Sequence, residues 1–299
     1  MEKKATVKDV AREAGVSVAT VSYIMNDRTD QKIRPETRKK VLQIANLLNY
    51  RPSHAAKSLA TGRNNMIGLA YSLNPQCPSR NHEVLYFAHL LIERMNRLKY
   101  DVIFLSVTDN PAQPQSTNYN LDAIIAIDLS SEQFHNLSDG YMVPVIAVDM
   151  LINDNLFYQI YSDYASAIQT AIRPFASDGI PHDCYLLADR FTNQEYMNQI
   201  IADFPQDQVL LLEDLSSDWL KVHAQAHYIV LGSYLATLIL PYVNPAQLHV
   251  IASSCDTSWI APSASISFMD MDKKANITMN VLLNSLNRNF EIEHNLPVQ

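Results

Sequence analysis

The residues best placed to do chemistry lie in the run Ser17-Val18-Ala19-Thr20-Val21-Ser22-Tyr23. Ser17 is a good helix N-cap, and Val21, Ile24 and Met25 follow at inward-facing spacings. Ser17, Val18, Ala19, Thr20, Ser22 and Tyr23 are therefore expected on the exposed start and side of a helix. A helix laid in a DNA major groove presents those positions to base edges and phosphates. Val18 and Ala19 have no hydrogen-bonding side chain, so their reading must be apolar, for instance of a thymine methyl group. Ser17, Thr20, Ser22, Asn26, Arg34, Thr37 and Tyr50 suit phosphate and sugar oxygens, contacts that fix register and carry little sequence information.

Other groupings of reactive residues lead to less. His223 and His227 have the i, i+4 spacing of a zinc pair, but Ala224 stands where HExxH needs Glu, and a surface or strand-edge pair is preferred. Glu213 with Asp214, and Asp270 with Asp272, lack a nucleophile and an orienting group, so helix caps and solvated loops are expected. Glycine occurs only at 15, 62, 68, 140, 179 and 232, which rules out GxGxxG, Walker A and GxSxG. Cys77, Cys184 and Cys255 show no CxxC spacing and read as buried thiols. No catalytic residue, metal site or cofactor is expected.

The elements that would hold the reading helix are legible around it. Thr6 and Asp9 form a capping-box-like start, and Val7, Val10, Ala11 and Ala14 give one buried face. Gly15 stops that helix, and the few residues before the next make a helix-turn-helix. A third helix begins at Pro35, packs through Val41, Ile44, Ala45 and Leu48, and turns Arg38, Lys39 and Lys40 outward to a solvated face.

The net charge of -8 is divided unevenly: residues 1–63 carry 13 Lys and Arg against 6 Asp and Glu, and residues 64–299 carry 10 against 25. A basic head suited to a polyanion thus precedes an acidic body. From Met66 onward, apolar runs (MIGLAYSL, YDVIFLSV, DAIIAIDL, VPVIAVD, CYLLAD, VLLLE, HYIVLG, LHVIAS) alternate with helical stretches near 83–98, 163–176, 193–203, 234–243 and 273–287. Parallel sheets covered on both faces, enough for two lobes, follow from that pattern, with ligands at the carboxyl ends of the strands. No apolar stretch is long enough for a membrane span, and the N-terminus has no apolar signal core, so a cytoplasmic protein is expected.

The segments TVKDVAREAGVSVATVSYIMN and NYRPSHAAKSLATGRNNMIGL closely resemble the LacI/GalR family of bacterial transcription repressors over residues 5–70. The resemblance implies a small all-α helix-turn-helix head at 1–50 and a hinge helix and linker at 51–65. It also implies an α/β two-lobed periplasmic-binding-protein-like (type I) effector and dimerisation domain at 66–299. It implies a homodimer on palindromic double-stranded operator DNA, with further contacts from Thr6, Val7, Ser53, Ala56 and Lys57. Leu59 matches the leucine that wedges between central base pairs, although it can also be read as packing onto the body. Tyr23 stands where relatives commonly carry Arg, which removes a bidentate contact to guanine.

A small-molecule effector, a sugar in many relatives, is implied for the cleft, and Tyr71, Asp149, Asp256 and Trp259 are the candidates to meet it. The Arg and the Asn-Asp pair that sugar-responsive relatives place there are missing from RFTNQEYMNQ and GSYLA. Gating by a docked protein, or no gating, therefore stays open, as does a plain small-molecule binding module.

Overall fold

The first helix of the head, α1 (Val7–Ala14), starts with a complete capping box: Asp9 N–H donates to the Thr6 hydroxyl and the Thr6 N–H donates to the Asp9 carboxylate. It stops at Gly15, whose φ of 68° lies in the left-handed region that glycine enters at least cost. Ser17 caps α2 (Val18–Met25) by accepting from the Thr20 N–H, and Pro35 opens α3 (Pro35–Leu47). Val10, Val21 and Val41, one from each helix, are fully buried together and form the centre of the head's core.

The structure, a computed structural model, describes residues 5–26, 31–50, 63–105, 107, 119–174, 179–253 and 257–299. The chain divides into two compact units, Met1–Asn64 and Asn65–Gln299. No helix among the described residues is long and apolar enough to cross a membrane.

The body is built on two parallel sheets. The first contains β1 (Met66–Tyr71), β2 (Asp101–Leu105), β3 (Ala123–Ile127), β4 (Val145–Val148), β5 (Tyr158–Ser162) and β11 (Asn295–Val298), in the order β11-β5-β4-β3-β1-β2. The second contains β6 (Cys184–Ala188), β7 (Val209–Leu211), β8 (His227–Leu231), β9 (Leu248–Ala252) and β10 (Ser265–Phe268), in the order β10-β9-β8-β6-β7. All eight apolar runs became strands; β5, β10 and β11 were not expected from the sequence pattern.

The helices between them are α4 (Pro78–Arg97), α5 (Ser131–Gly140), α6 (Tyr164–Ile172), α7 (Gln194–Ile201), α8 (Ser217–Val222), α9 (Ser233–Ile239) and α10 (Met271–Leu286). The chain enters the second lobe after β5 and returns through α10, which buries Met271, Ala275, Met279 and Leu282 against Phe87 and the first sheet. Cys77 and Cys184 are buried free thiols, and burial pushes that of Cys184 up to about 12; Cys255 lies outside the described residues.

One helix start differs from expectation. α4 begins at Pro78 rather than near 83 because its cap comes from the other lobe: the Arg80 N–H donates to Asp189 Oδ2 at 2.9 Å, while Cys77 at the N-cap supplies no side-chain bond. A cap 109 residues away leaves no local signature.

Candidate nucleic-acid interface and body cleft

On the head, Ser17, Val18 and Ala19 are exposed at the N-terminus of α2, with Val18 at 42%, while Thr20, Ser22 and Tyr23 are half-buried along its side. The apolar tip stands out of a helix whose own polar groups are already bound. The Ser17 and Thr20 hydroxyls lie 2.8 Å apart, and the Asn26 amide donates to Ser22 O at 2.9 Å. Arg34 is exposed before α3, and Thr37 is half-buried within it.

Thr6 is exposed, but its hydroxyl donates to Asp9 in the capping box. Val7 and Tyr50 pack against the head's core, and burial raises the Tyr50 phenol above its ordinary value, so each offers only part of its surface. Arg38 is half-buried, whereas Lys39 and Lys40 are exposed. Ser53, Ala56, Lys57, Leu59 and Asp256 lie outside the described residues.

In the body, the carboxyl ends of the two sheets meet over a group of charged side chains that water does not reach. Arg80, at 4% exposure, donates from Nε to Asp128 (2.8 Å), from Nη1 to Glu83 (3.1 Å) and from Nη2 to Asp149 (3.2 Å). Phe191 of the second lobe lies over the guanidinium, 4.2 Å from carbon to ring centroid. Lys274, at 1% exposure, donates to both Asp149 oxygens at 2.9 and 2.8 Å and to the Ser162 hydroxyl at 2.9 Å. Glu83 also accepts from the Tyr164 and Ser253 hydroxyls. Asp128 reaches across to the Thr192 N–H (3.0 Å) and the Asn193 N–H (3.4 Å).

Burial works against charge throughout this group, and the neighbours set the direction in which each pKa moves. At Arg80 the carboxylates of Asp128, Asp149 and Glu83 outweigh burial and hold the proton well above the ordinary arginine value. At Asp149 burial is outweighed by Lys274 and Arg80, so its pKa falls below the usual carboxylate value. At Asp128 and Asp189 burial outweighs the bonds they accept and moves the pKa above the usual carboxylate value. Asp189 Oδ1 has no hydrogen-bond partner among the described residues.

A carboxyl raised by folding stabilises fully below its unfolded value and loses that contribution as pH rises through the folded one. Asp189→Asn keeps an acceptor for the Arg80 N–H without the buried charge. Thermal scans from roughly pH 4 to pH 8 should therefore show a shallower loss of midpoint temperature in the variant than in the wild type.

Backbone as well as side chains is fitted here. Gly232 has φ of 103°, and a Cβ on it would stand 2.5 Å from the Ser79 hydroxyl oxygen and 3.3 Å from Glu83 Oε1. Gly232→Ala is expected to cost at least about 1 kcal/mol in urea denaturation, from the backbone strain and the collision together.

Of the effector candidates, Asp149 lies at the cleft, where its oxygens accept from Arg80, Lys274 and the Ser162 N–H. Tyr71 packs its ring on Phe104, with centroids 4.6 Å apart, and Trp259 is 76% exposed. His223 ends α8 stacked on Trp219 (3.8 Å between centroids) and His227 begins β8, so the two do not share a helix face. Glu213 pairs with Arg190, Asp270 caps α10 and Asp272 pairs with Arg94.

Sequence reasoning missed Arg80, Glu83, Asp128, Asp189 and Lys274. One signal was available: in three apolar runs an aspartate directly follows the strand, at Asp128, Asp149 and Asp189. The first two adopt positive φ, 49° and 50°, which aspartate tolerates better than most residues.

Residues 6–53 match the family model described as bacterial regulatory proteins, lacI family. The head is that of the lacI family. Over 64 residues the chain is 50% identical to the HTH-type transcriptional regulator RegA of Clostridium saccharobutylicum, covering 21% of this chain and 19% of that one. It is 30% identical over 184 residues to catabolite control protein A of Staphylococcus epidermidis, 58% of this chain and 53% of that protein. The chain thus spans about half the length of that relative. The lac repressor dimer bound to operator and the anti-inducer ONPF matches with a TM-score of 0.67 and 17% identity, over 99% of this chain and 96% of that one. The lacI-family head is followed by a body of the two-lobed, periplasmic-binding-protein-like fold.

Proposed function

We propose that this lacI-family chain is a sequence-specific DNA-binding transcriptional regulator, a repressor, that occupies a palindromic double-stranded operator as a homodimer. The observation that carries this is the exposed, capped N-terminus of α2, with Ser17, Val18 and Ala19 outward on a basic head. Residues 1–50 read the DNA, 51–65 supply the hinge with Leu59 as its wedge, and 66–299 dimerise and receive the signal. Ser17, Thr20, Ser22, Asn26, Arg34, Thr37 and Tyr50 position the head on phosphates and sugars, and Val18, Ala19 and Tyr23 select bases.

In the family-based form of this reading a small molecule, a sugar among the candidates, enters the cleft and shifts operator affinity. The pairing of Asp149 with Arg80 and Lys274 favours a second form, in which gating falls to a protein partner or is absent.

Selection from a randomised duplex pool with the intact chain tests the proposal. A two-fold palindrome with a flexible central step is expected. A pool that stays random after repeated rounds would remove the function proposed.

A further inference from the structure

In an open parallel α/β fold the ligand place is outside the carboxyl ends of the strands. Here that place lies between the two sheets, and a cation of the chain itself stands in it. The Arg80 guanidinium has acidic partners on three of its nitrogens: Asp128 after β3, Asp149 after β4 and Glu83 on its own helix. The second lobe covers it with the Phe191 ring and holds its backbone N–H through Asp189 after β6. A planar cation held by carboxylates from one lobe and an aromatic face from the other has the surroundings of a bound ligand.

We propose that Arg80 is the built-in occupant of the cleft: its guanidinium takes the place of a diffusible ligand and holds the lobes closed, and an incoming signal acts by displacing it. This deepens the reading of the body as the sensing part, and it needs no assumption about which DNA the head reads.

Two further features fit this role. Lys274 fills the other side of Asp149, so that carboxylate bridges two fixed cations rather than one mobile one. Bonds between the lobes surround the guanidinium: the Thr192 and Asn193 N–H groups donate to Asp128, the Leu151 N–H donates to the Asn193 side chain, and Ser253 donates to Glu83. Opening the lobes would have to break these bonds together and expose four carboxylates, Glu83, Asp128, Asp149 and Asp189, to water. A small cation or polar ligand would have to compete with a group tethered on the same chain, at an effective concentration far above that of a free metabolite.

Hydrogen exchange on the full chain, read at the amides of Thr192, Asn193 and Leu151, measures closure directly. In wild type without added ligand these amides are expected to exchange at least ~100-fold more slowly than in an open chain. Arg80→Ala is expected to speed them by at least ~10-fold, and millimolar methylguanidinium, but not sodium chloride of equal ionic strength, should restore the slow rate in the variant alone. Arg80→Lys, which keeps the charge and loses the planar fork, should fall between the two.

Fast exchange in ligand-free wild type would overturn the proposal even if Arg80→Ala does not fold, because the cleft would then rest open. Unchanged protection in a folded Arg80→Ala, or no response to methylguanidinium, would overturn it as well. Operator titration of the same preparations separates the two readings, since a wild type that binds the palindrome while its lobe amides exchange fast sinks this inference and leaves the regulator reading in place.

Discussion

Lys274→Met is expected to lower the unfolding free energy of the body by about 3–5 kcal/mol, the usual cost of removing one partner from a buried ion pair. Methionine conserves most of the side-chain volume, so the loss reports charge rather than a cavity. It leaves Asp149, at 2% exposure, with Arg80 as its remaining cation. The Ser162 hydroxyl loses its ammonium donor, and the contact of Nζ with the Phe87 ring, 4.5 Å from its centroid, is lost too. Urea denaturation followed by circular dichroism measures the change. Adding Asp149→Asn to Lys274→Met should recover part of it, because the stranded charge rather than the missing bond is the larger cost. If the double variant is as unstable as the sum of the singles, the two residues are not coupled and the network is misassigned.

Val18→Asp should abolish specific DNA binding while leaving the head folded. Val18 is 42% exposed at the first position of α2, where a carboxylate interacts favourably with the helix dipole and stability is kept or slightly raised. Against DNA the same carboxylate meets phosphates and acceptor-rich base edges. Like-charge contacts of that kind cost several kcal/mol, so a loss of more than about 100-fold in affinity is expected. Anisotropy titration alongside a thermal scan reads both quantities. Unimpaired binding would show that the tip of α2 does not face DNA.

How much of this could be read in the sequence varied with the distance over which each feature is specified. The capping box of Thr6 and Asp9, the left-handed Gly15 and the Ser17 cap each rest on residues three or four positions apart. The apolar strands declare themselves through runs of Ile, Val and Leu. β5 does not, because its buried residues are Tyr-Gln-Ile-Tyr-Ser: Gln159 satisfies its amide on the Ile152 backbone, and Tyr161 packs on Tyr196. The edge strands β10 and β11 are short and partly exposed.

The cleft network is the least legible part. Its bonds join residues 48, 69 and 125 positions apart, and Arg80 sits in PSRNHEV, a segment with no local mark of burial. The strand-ending aspartates were visible one by one, but only the fold shows that a single guanidinium answers two of them.

Sequence-specific binding through a paired hinge is the property from which the proposed regulation follows. Anisotropy titration of the selected palindrome and a scrambled duplex at several salt concentrations, with wild type and Leu59→Ala, tests that claim. The predicted result is affinity for the palindrome roughly a thousandfold above the scrambled control, largely lost when Leu59 is truncated, with a salt slope set by the phosphate contacts. Binding that varies with salt alone and treats both duplexes alike would contradict it.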